Sequence, residues 1–301
     1  MKRGEFGLIN DFVKAFARPR APLVLGPGDD CALLRAKPGE ELVLTVDALV
    51  EGVHFTKRFT PEEIGHKALA VNLSDLAAMG ARPVAFLVAI AMPERWLAKL
   101  PGIARGMSRL AERCGCQLAG GNMSRARELS ITVTALGAVP AGRALRRDGA
   151  RPGDRLLVSG ALGGAAAGLR KSASHLRARQ RTPEPRVALG LLARDVAHAA
   201  IDISDGLAQD LRHVLQASKV GALLVDDAIP LERGATLANA LSGGEDYELL
   251  LAVPPKRAAA LIQASRRLGL PLTDIGWVTR RVGLSGTSQA VAGHDHFRSR
   301  N

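Results

Sequence analysis

The stretch that decides the fold is Lys67-Ala68-Leu69-Ala70-Val71-Asn72-Leu73-Ser74-Asp75-Leu76-Ala77-Ala78-Met79-Gly80-Ala81. Its apolar residues follow helical spacing, and Pro61-Glu62-Glu63 supplies an acid-rich start near the positive end of a helix, so the spacing predicts a helix over 61–80. Asp75 lies in the middle of this apolar run, and Asn72, three residues earlier, shares its helix face. A carboxylate so placed is paired, bound to a metal, or exposed on the one polar face. Spacing alone leaves the solvent-stripe reading and the functional reading both open.

Working outward, Leu42–Val50 alternates and is rich in β-formers, and Val84–Met92 is a continuous apolar run; both read as strands. Glu94–Arg113 reads as an amphipathic helix and Leu129–Val139 as a strand. The basic, Gly- and Pro-bearing stretch Arg143–Asp154 reads as a connector. Beyond it, strands are expected at 156–159, 221–225 and 247–253, and helices at 191–200, 207–217 and 255–268. The order lacks the regular alternation of a doubly wound sheet, which predicts an α+β protein of two lobes, 1–142 and 143–301.

The chain has 301 residues, a hydrophobic fraction of 47% and only 3% aromatics, so its core is built from aliphatic side chains. Net charge is +12, carried mostly by scattered Arg. The densest basic run, Arg170–Arg186, has no interleaved aromatics of the kind that stack on single strands, so a surface attracting anionic substrates is favoured over a nucleic-acid partner. Three cysteines, Cys31, Cys114 and Cys116, with no apolar leader point to reduced thiols in the cytoplasm. Cys114-Gly115-Cys116 lacks a second Cys/His pair and reads as core rather than metal site. No apolar run approaches the ~20 residues of a membrane span.

Against this basic background the acids are informative. Asp29-Asp30 follows Gly26-Pro27-Gly28, Asp47 ends a β-rich segment, and Asp202 and Asp205 flank Ile203-Ser204 before Gly206. An Asp in such a turn is usually only a turn residue. Several carboxylates from separate segments also suit Mg²⁺, which takes hard oxygen ligands and leaves positions for phosphate. There is no Walker A sequence, no protein-kinase signature and no Gly-x-Ser-x-Gly elbow. A phosphotransferase here needs another way of holding ATP.

Gly26-Pro27-Gly28-Asp29-Asp30-Cys31-Ala32, Val46-Asp47-Ala48-Leu49-Val50-Glu51-Gly52-Val53-His54-Phe55, the opening 67–81 block, Ile201-Asp202-Ile203-Ser204-Asp205-Gly206-Leu207 and Leu241-Ser242-Gly243-Gly244-Glu245-Asp246-Tyr247-Glu248-Leu249 together resemble thiamine-monophosphate kinases. The blocks run in family order from Gly4-Glu5-Phe6 to Asp295-His296-Phe297, nearly the whole chain. The resemblance implies an aminoimidazole ribonucleotide synthetase-like fold. Its N-terminal lobe would form a dimeric barrel-like sheet and bind metal and ATP, and its C-terminal lobe would be α+β. ATP would lie between the lobes on several Mg²⁺ ions and pass a phosphoryl group directly to thiamine monophosphate.

Carried over position by position, the resemblance implies metal ligands at Asp30, Thr45, Val46, Asp47, Asp75, Asn122, Asp202 and Asp205. It implies nucleotide contacts at Gly121, Asn122, Arg147 and Ser204, substrate contacts at His54, Glu245 and His294, and a homodimer. No covalent catalytic residue and no membrane or nucleic-acid partner are implied. Three positions depart from the family: Asn122 stands for an Asp, Val46 for a Thr, and His294 for an aromatic residue. The first two changes are expected to fall on one metal site and weaken it. A catalytically weakened homologue that still binds thiamine phosphates or ATP is therefore the alternative reading.

Overall fold

The computed structural model describes residues 5–27, 31–171 and 173–287. The chain divides into two compact units, residues 1–76 with 81–142, and residues 77–80 with 143–301.

The first unit opens with helix α1 (Glu5–Val13) and the short paired strands β1 (Leu23–Leu25) and β2 (Leu33–Leu34). Its centre is a four-stranded sheet of order β3-β6-β4-β5, built from β3 (Glu40–Val50), β4 (Arg82–Met92), β5 (Gln117–Arg125) and β6 (Ser130–Pro140). β6 pairs antiparallel with β3 and β4, while β4 and β5 run parallel. Helices α2 (Pro61–Ala78) and α3 (Leu100–Cys114) accompany it. Alternation sets the faces. Ile131, Val133, Ala135 and Gly137 of β6 are buried, and Gly137 lies against Leu76 of α2, so this row faces the helix.

The predicted helix at 94–113 has a different start. Glu94–Lys99 is a 3₁₀ turn, and the α-helix begins at Leu100 with Pro101 in its first turn, where its missing N–H costs nothing. α2 and α3 cross so closely that a Cβ on Gly106 would lie 1.9 Å from the Glu62 carbonyl oxygen, and one on Gly65 1.9 Å from that of Ile103.

The second unit holds a six-stranded sheet of order β12-β9-β11-β7-β10-β8. Its strands are β7 (Arg155–Ser159), β8 (Ala199–Asp202), β9 (Gly221–Leu224), β10 (Leu249–Val253), β11 (Leu272–Thr279) and β12 (Gly283–Ser285). The helices are α4 (Gly164–Arg170), α5 (Ser174–Arg181), α6 (Val187–Ala193), α7 (Leu207–Ser218), α8 (Leu237–Ser242) and α9 (Pro255–Arg267). Aliphatic clusters fill both sides of the sheet, one around Leu156, Ile201, Leu211 and Val278, the other around Leu157, Leu189, Leu251 and Leu261. The helix expected at 191–200 ends at Ala193, and residues 199–202 form strand β8 instead.

The glycine crossing gives the first prediction. Gly106→Ala adds a helix-favouring residue, normally a gain of about 1 kcal/mol in a helix interior. Here it should instead cost about 2 kcal/mol, because the methyl group overpacks against the Glu62 backbone. A lowered urea midpoint at unchanged m-value would show it; a raised midpoint would refute the crossing.

Candidate active site

In the first unit, the period of β3 puts Thr45 and Asp47 on the face that α2 covers. The Thr45 hydroxyl donates to Asp75 Oδ2 at 2.5 Å. Asn72 is fully buried and its amide donates to the Ala68 carbonyl at 3.1 Å, which disposes of the solvent-stripe reading of this helix face. Asp47 is exposed at the sheet edge, yet protein crowds its carboxyl. That desolvation, reinforced by the charge of Asp75, pushes it up to about 6. Two mutually repelling carboxylates beside a hydroxyl form a set of hard oxygen donors, and a divalent cation would relieve the repulsion. The donor set therefore fits Mg²⁺.

Val46 points the other way. It is 60% exposed on the opposite face, so only its backbone carbonyl is available as a ligand. Asn122 lies in the row Ala48–Thr132–Ala89–Asn122, also on that opposite face. It stands on β5, the far edge strand from β3. Three strand spacings separate the two edges, about 14 Å. Asp47 and Asn122 of one chain therefore do not meet, and the expectation that Val46 and Asn122 weaken one site together with Asp47 does not hold within a single chain.

His54 follows in the turn after β3. Its Nδ1 accepts the Val50 N–H at 3.1 Å, so a neutral ring carries its proton on Nε2. Lys67, fully buried, donates to the His54 carbonyl at 3.1 Å and lies 5.6 Å from the centre of the Phe59 ring. Glu51 Oε2 accepts from Arg95 at 3.0 Å, from the Trp96 indole at 3.0 Å and from the Leu129 N–H at 3.2 Å. The turn is thus fixed from several elements at once.

In the second unit, β8 ends at the buried Asp202, and the loop through Ser204 and Asp205 packs on the Gly243–Glu248 segment. Ser204 O accepts the Glu245 N–H at 2.8 Å, Ile203 O accepts that of Tyr247 at 2.9 Å, and Glu248 O accepts that of Ile203 at 2.8 Å. Glu245 and Tyr247 hold left-handed φ values of 72° and 51°, strain that these bonds impose. A Cβ on Gly244 would meet the Ser204 carbonyl oxygen at 2.4 Å, which explains the glycine there. The 3₁₀ turn bearing Arg147 packs along α7: Ser218 at the far end donates to the Arg147 carbonyl at 2.8 Å, and the Arg147 charge acts on Asp210 beside this group.

Two residues that sequence reasoning did not single out organise the region. Asp210, in the first turn of α7, accepts the N–H groups of Ser204 and Asp205. Burial pushes its carboxyl up to about 7, partly opposed by those bonds and by the charge of Arg147. Glu248 is fully buried and clamped by Arg186 through two bonds of 2.6 and 2.5 Å, by Arg179 at 2.7 Å and by the Ser159 hydroxyl at 2.5 Å. The basic run 170–186 thus turns two of its arginines inward, where a buried carboxylate needs them.

Asp30 and His294 lie outside the described residues. Among the described residues no three His, Cys, Asp or Glu side chains converge on one metal position. Asp47 and Asp75 come together in the first unit, while Asp202, Ser204, Asp205, Arg147 and Glu245 gather in the second. Cys31, Cys114 and Cys116 form no disulfide, and burial pushes the thiol of Cys116 up.

Comparison with known proteins identifies the family. Residues 28–139 match the model of the AIR synthase related protein N-terminal domain, and residues 151–288 that of the C-terminal domain. The thiamine-monophosphate kinase of Salmonella typhimurium is 40% identical, with 99% of each chain covered. The crystal structure of thiamine-monophosphate kinase from Stenotrophomonas maltophilia superposes with a TM-score of 0.86 at 40% identity, covering 92% of this chain and 95% of that one. The structure of AaThiL complexed with AMPPCP and TMP gives 0.79 at 33% identity, covering 98% and 97%. This chain belongs to the thiamine-monophosphate kinase family.

Proposed function

We propose that the chain transfers the terminal phosphoryl group of ATP to thiamine monophosphate, giving thiamine diphosphate and ADP. The observation that carries this reading is the Thr45–Asp47–Asp75 group, a pair of like charges that the fold holds together where a cation is needed. The near-full-length match to curated kinases favours an active enzyme over a weakened binder.

Thr45, Asp47 and Asp75 would hold Mg²⁺ in one unit, and Asp202 and Asp205 in the other. Bound there, Mg²⁺ supplies positive charge against the phosphate oxygens of both substrates. Arg147 adds a permanent cation at the nucleotide, and Ser204 a hydroxyl. His54 offers its Nε2–H to the thiamine phosphate from a turn locked by Lys67 and Glu51, and Glu245 contributes from the opposite chemical sign. The acceptor is already an ionised phosphate, so no strong general base is required. Positioning and charge stabilisation carry an in-line transfer.

We also infer a homodimer through the first unit's sheet, closing it into a barrel. Leu42, Leu44, Val46 and Leu87 stand 43, 63, 60 and 41% exposed on its open face, and β3 is an edge strand. We infer a cytoplasmic reaction, which three cysteines outside any disulfide support. No helix among the described residues is long and apolar enough to cross a membrane.

ADP release with ATP plus thiamine monophosphate across a Mg²⁺ titration tests the reading; no thiamine-dependent ADP at any Mg²⁺ concentration would refute it. In the same assay Asn122→Asp should lower the Mg²⁺ needed for half-maximal rate several-fold, by restoring a charged ligand. An unchanged midpoint would remove Asn122 from the metal site. Asp47 adds a pH dependence. Protonation below about 6 removes a ligand charge, so the Mg²⁺ midpoint should rise as pH falls from 7 to 5 and stay flat from 7 to 8. Asp47→Asn should abolish that trend. Finally, Leu44→Glu places a charge on the apolar face and should yield a monomer in analytical ultracentrifugation; a retained dimer would put the interface elsewhere.

A further inference from the structure

We propose that Asp210 is a positioning residue for nucleotide binding, holding the Ser204–Asp205 segment in its binding shape before ATP arrives. The proposal rests on the kinase reading above, which gives Ser204 to the nucleotide and Asp205 to a metal ion. Asp210 itself is 2% exposed, so its role is to act through these two residues.

One oxygen, Oδ2, accepts the N–H groups of both Ser204 and Asp205 at 3.0 Å. The next residue back on α7, Gln209, donates its side-chain amide to Asp205 Oδ2 at 3.1 Å. The backbone and the side chain of Asp205 are thus both gripped by adjacent residues of one helix. The other flank is closed as well. Ser204 O takes the Glu245 N–H, and Gly206, at φ +109°, is packed so closely that a Cβ would lie 2.9 Å from the Leu241 carbonyl oxygen. Asp210 N–H returns to Gly206 O at 3.1 Å. Without the Asp210 carboxylate, two consecutive N–H groups of a partly buried loop lose their acceptor, and the loop is released on the side that α7 holds. A loop already ordered costs less to bind. The expected signature is therefore in nucleotide affinity, with the thiamine phosphate site little affected.

The test compares Asp210→Asn, which keeps a carbonyl oxygen in place, with Asp210→Ala, which removes it. Calorimetry with Mg·AMPPCP should show D210N within threefold of the unaltered chain and D210A weaker by tenfold or more. The KM for thiamine monophosphate should stay within twofold in both. Equal Mg·AMPPCP affinity in D210A, or equal losses for both substrates in step with a lowered Tm, would overturn the positioning role. A second measurement needs no folded D210A. In the unaltered chain the amides of Ser204 and Asp205 should exchange slowly without nucleotide and hardly change when Mg·AMPPCP is added. A large slowing on addition would show that nucleotide orders the loop, and the proposal would fall. If the unaltered chain binds no Mg·AMPPCP at all, the kinase reading fails, and this proposal with it.

Discussion

Asp47 and Asp75 repel each other, and the fold nevertheless keeps them together. One sits on an edge strand and the other on a helix, so neither can move away without disturbing an element. The Thr45 hydroxyl bonds Asp75 and thereby fixes the contact between β3 and α2. The rest of the first unit is arranged to make that contact rigid. Two helices cross at glycines with their backbones touching, and α2 is buried along most of its length, so Asp75 is held by packing as well as by the Thr45 bond. A site that must bind cations is best built this way, because repulsion that the scaffold already bears is relieved when the cation arrives.

The second unit solves the opposite problem. Here the functional segment is a loop, and loops do not hold themselves. The segment 202–206 is tied to residues 243–248 by backbone bonds, and Glu248 ties the latter to Arg179 of α5, to Arg186 ahead of α6 and to Ser159 at the end of β7. Glu248 shows how far this goes. A fully buried carboxylate with two arginines and a hydroxyl adds little net stability compared with an apolar core, but losing one partner would leave an uncompensated charge. Such a network fixes one arrangement. It lies three residues from Glu245, whose left-handed backbone needs an imposed geometry.

How much of this could be read from the sequence depended on the kind of signal. The strand at 42–50 and the helix at 61–78 follow from periodicity, and their chemistry-bearing residues follow from carboxylates placed in apolar surroundings. β5 and β11 escaped because glycines interrupt them: Gly120 and Gly121 in one, Gly276 at φ +147° in the other. The helix expected at 191–200 was misplaced because Leu191, Leu192 and Ala193 continue naturally into Ala197–Ala200, and only the sheet partner β10 makes the latter a strand. Asp210 and the Arg179–Arg186–Glu248 cluster were invisible for a different reason. Their meaning lies in partners 5 to 69 residues away, and no local pattern records it.

The faces of the first sheet carry the argument one step further. Residues adjacent in sequence, Val46 and Asp47, look in opposite directions, and Asn122 lies on the face of Val46 at the far edge. Read along the chain, the two substitutions Val46 and Asn122 converge on the ligand Asp47; read in space, they share an exposed apolar surface and leave Asp47 with Asp75. A Val in place of a hydroxyl residue costs little on a face that a second copy would cover, and it adds apolar area there. Asn122 keeps an oxygen donor without placing a carboxylate in that row. Both residues leave the Asp47–Asp75 pair intact, which favours a working kinase over a weakened binder.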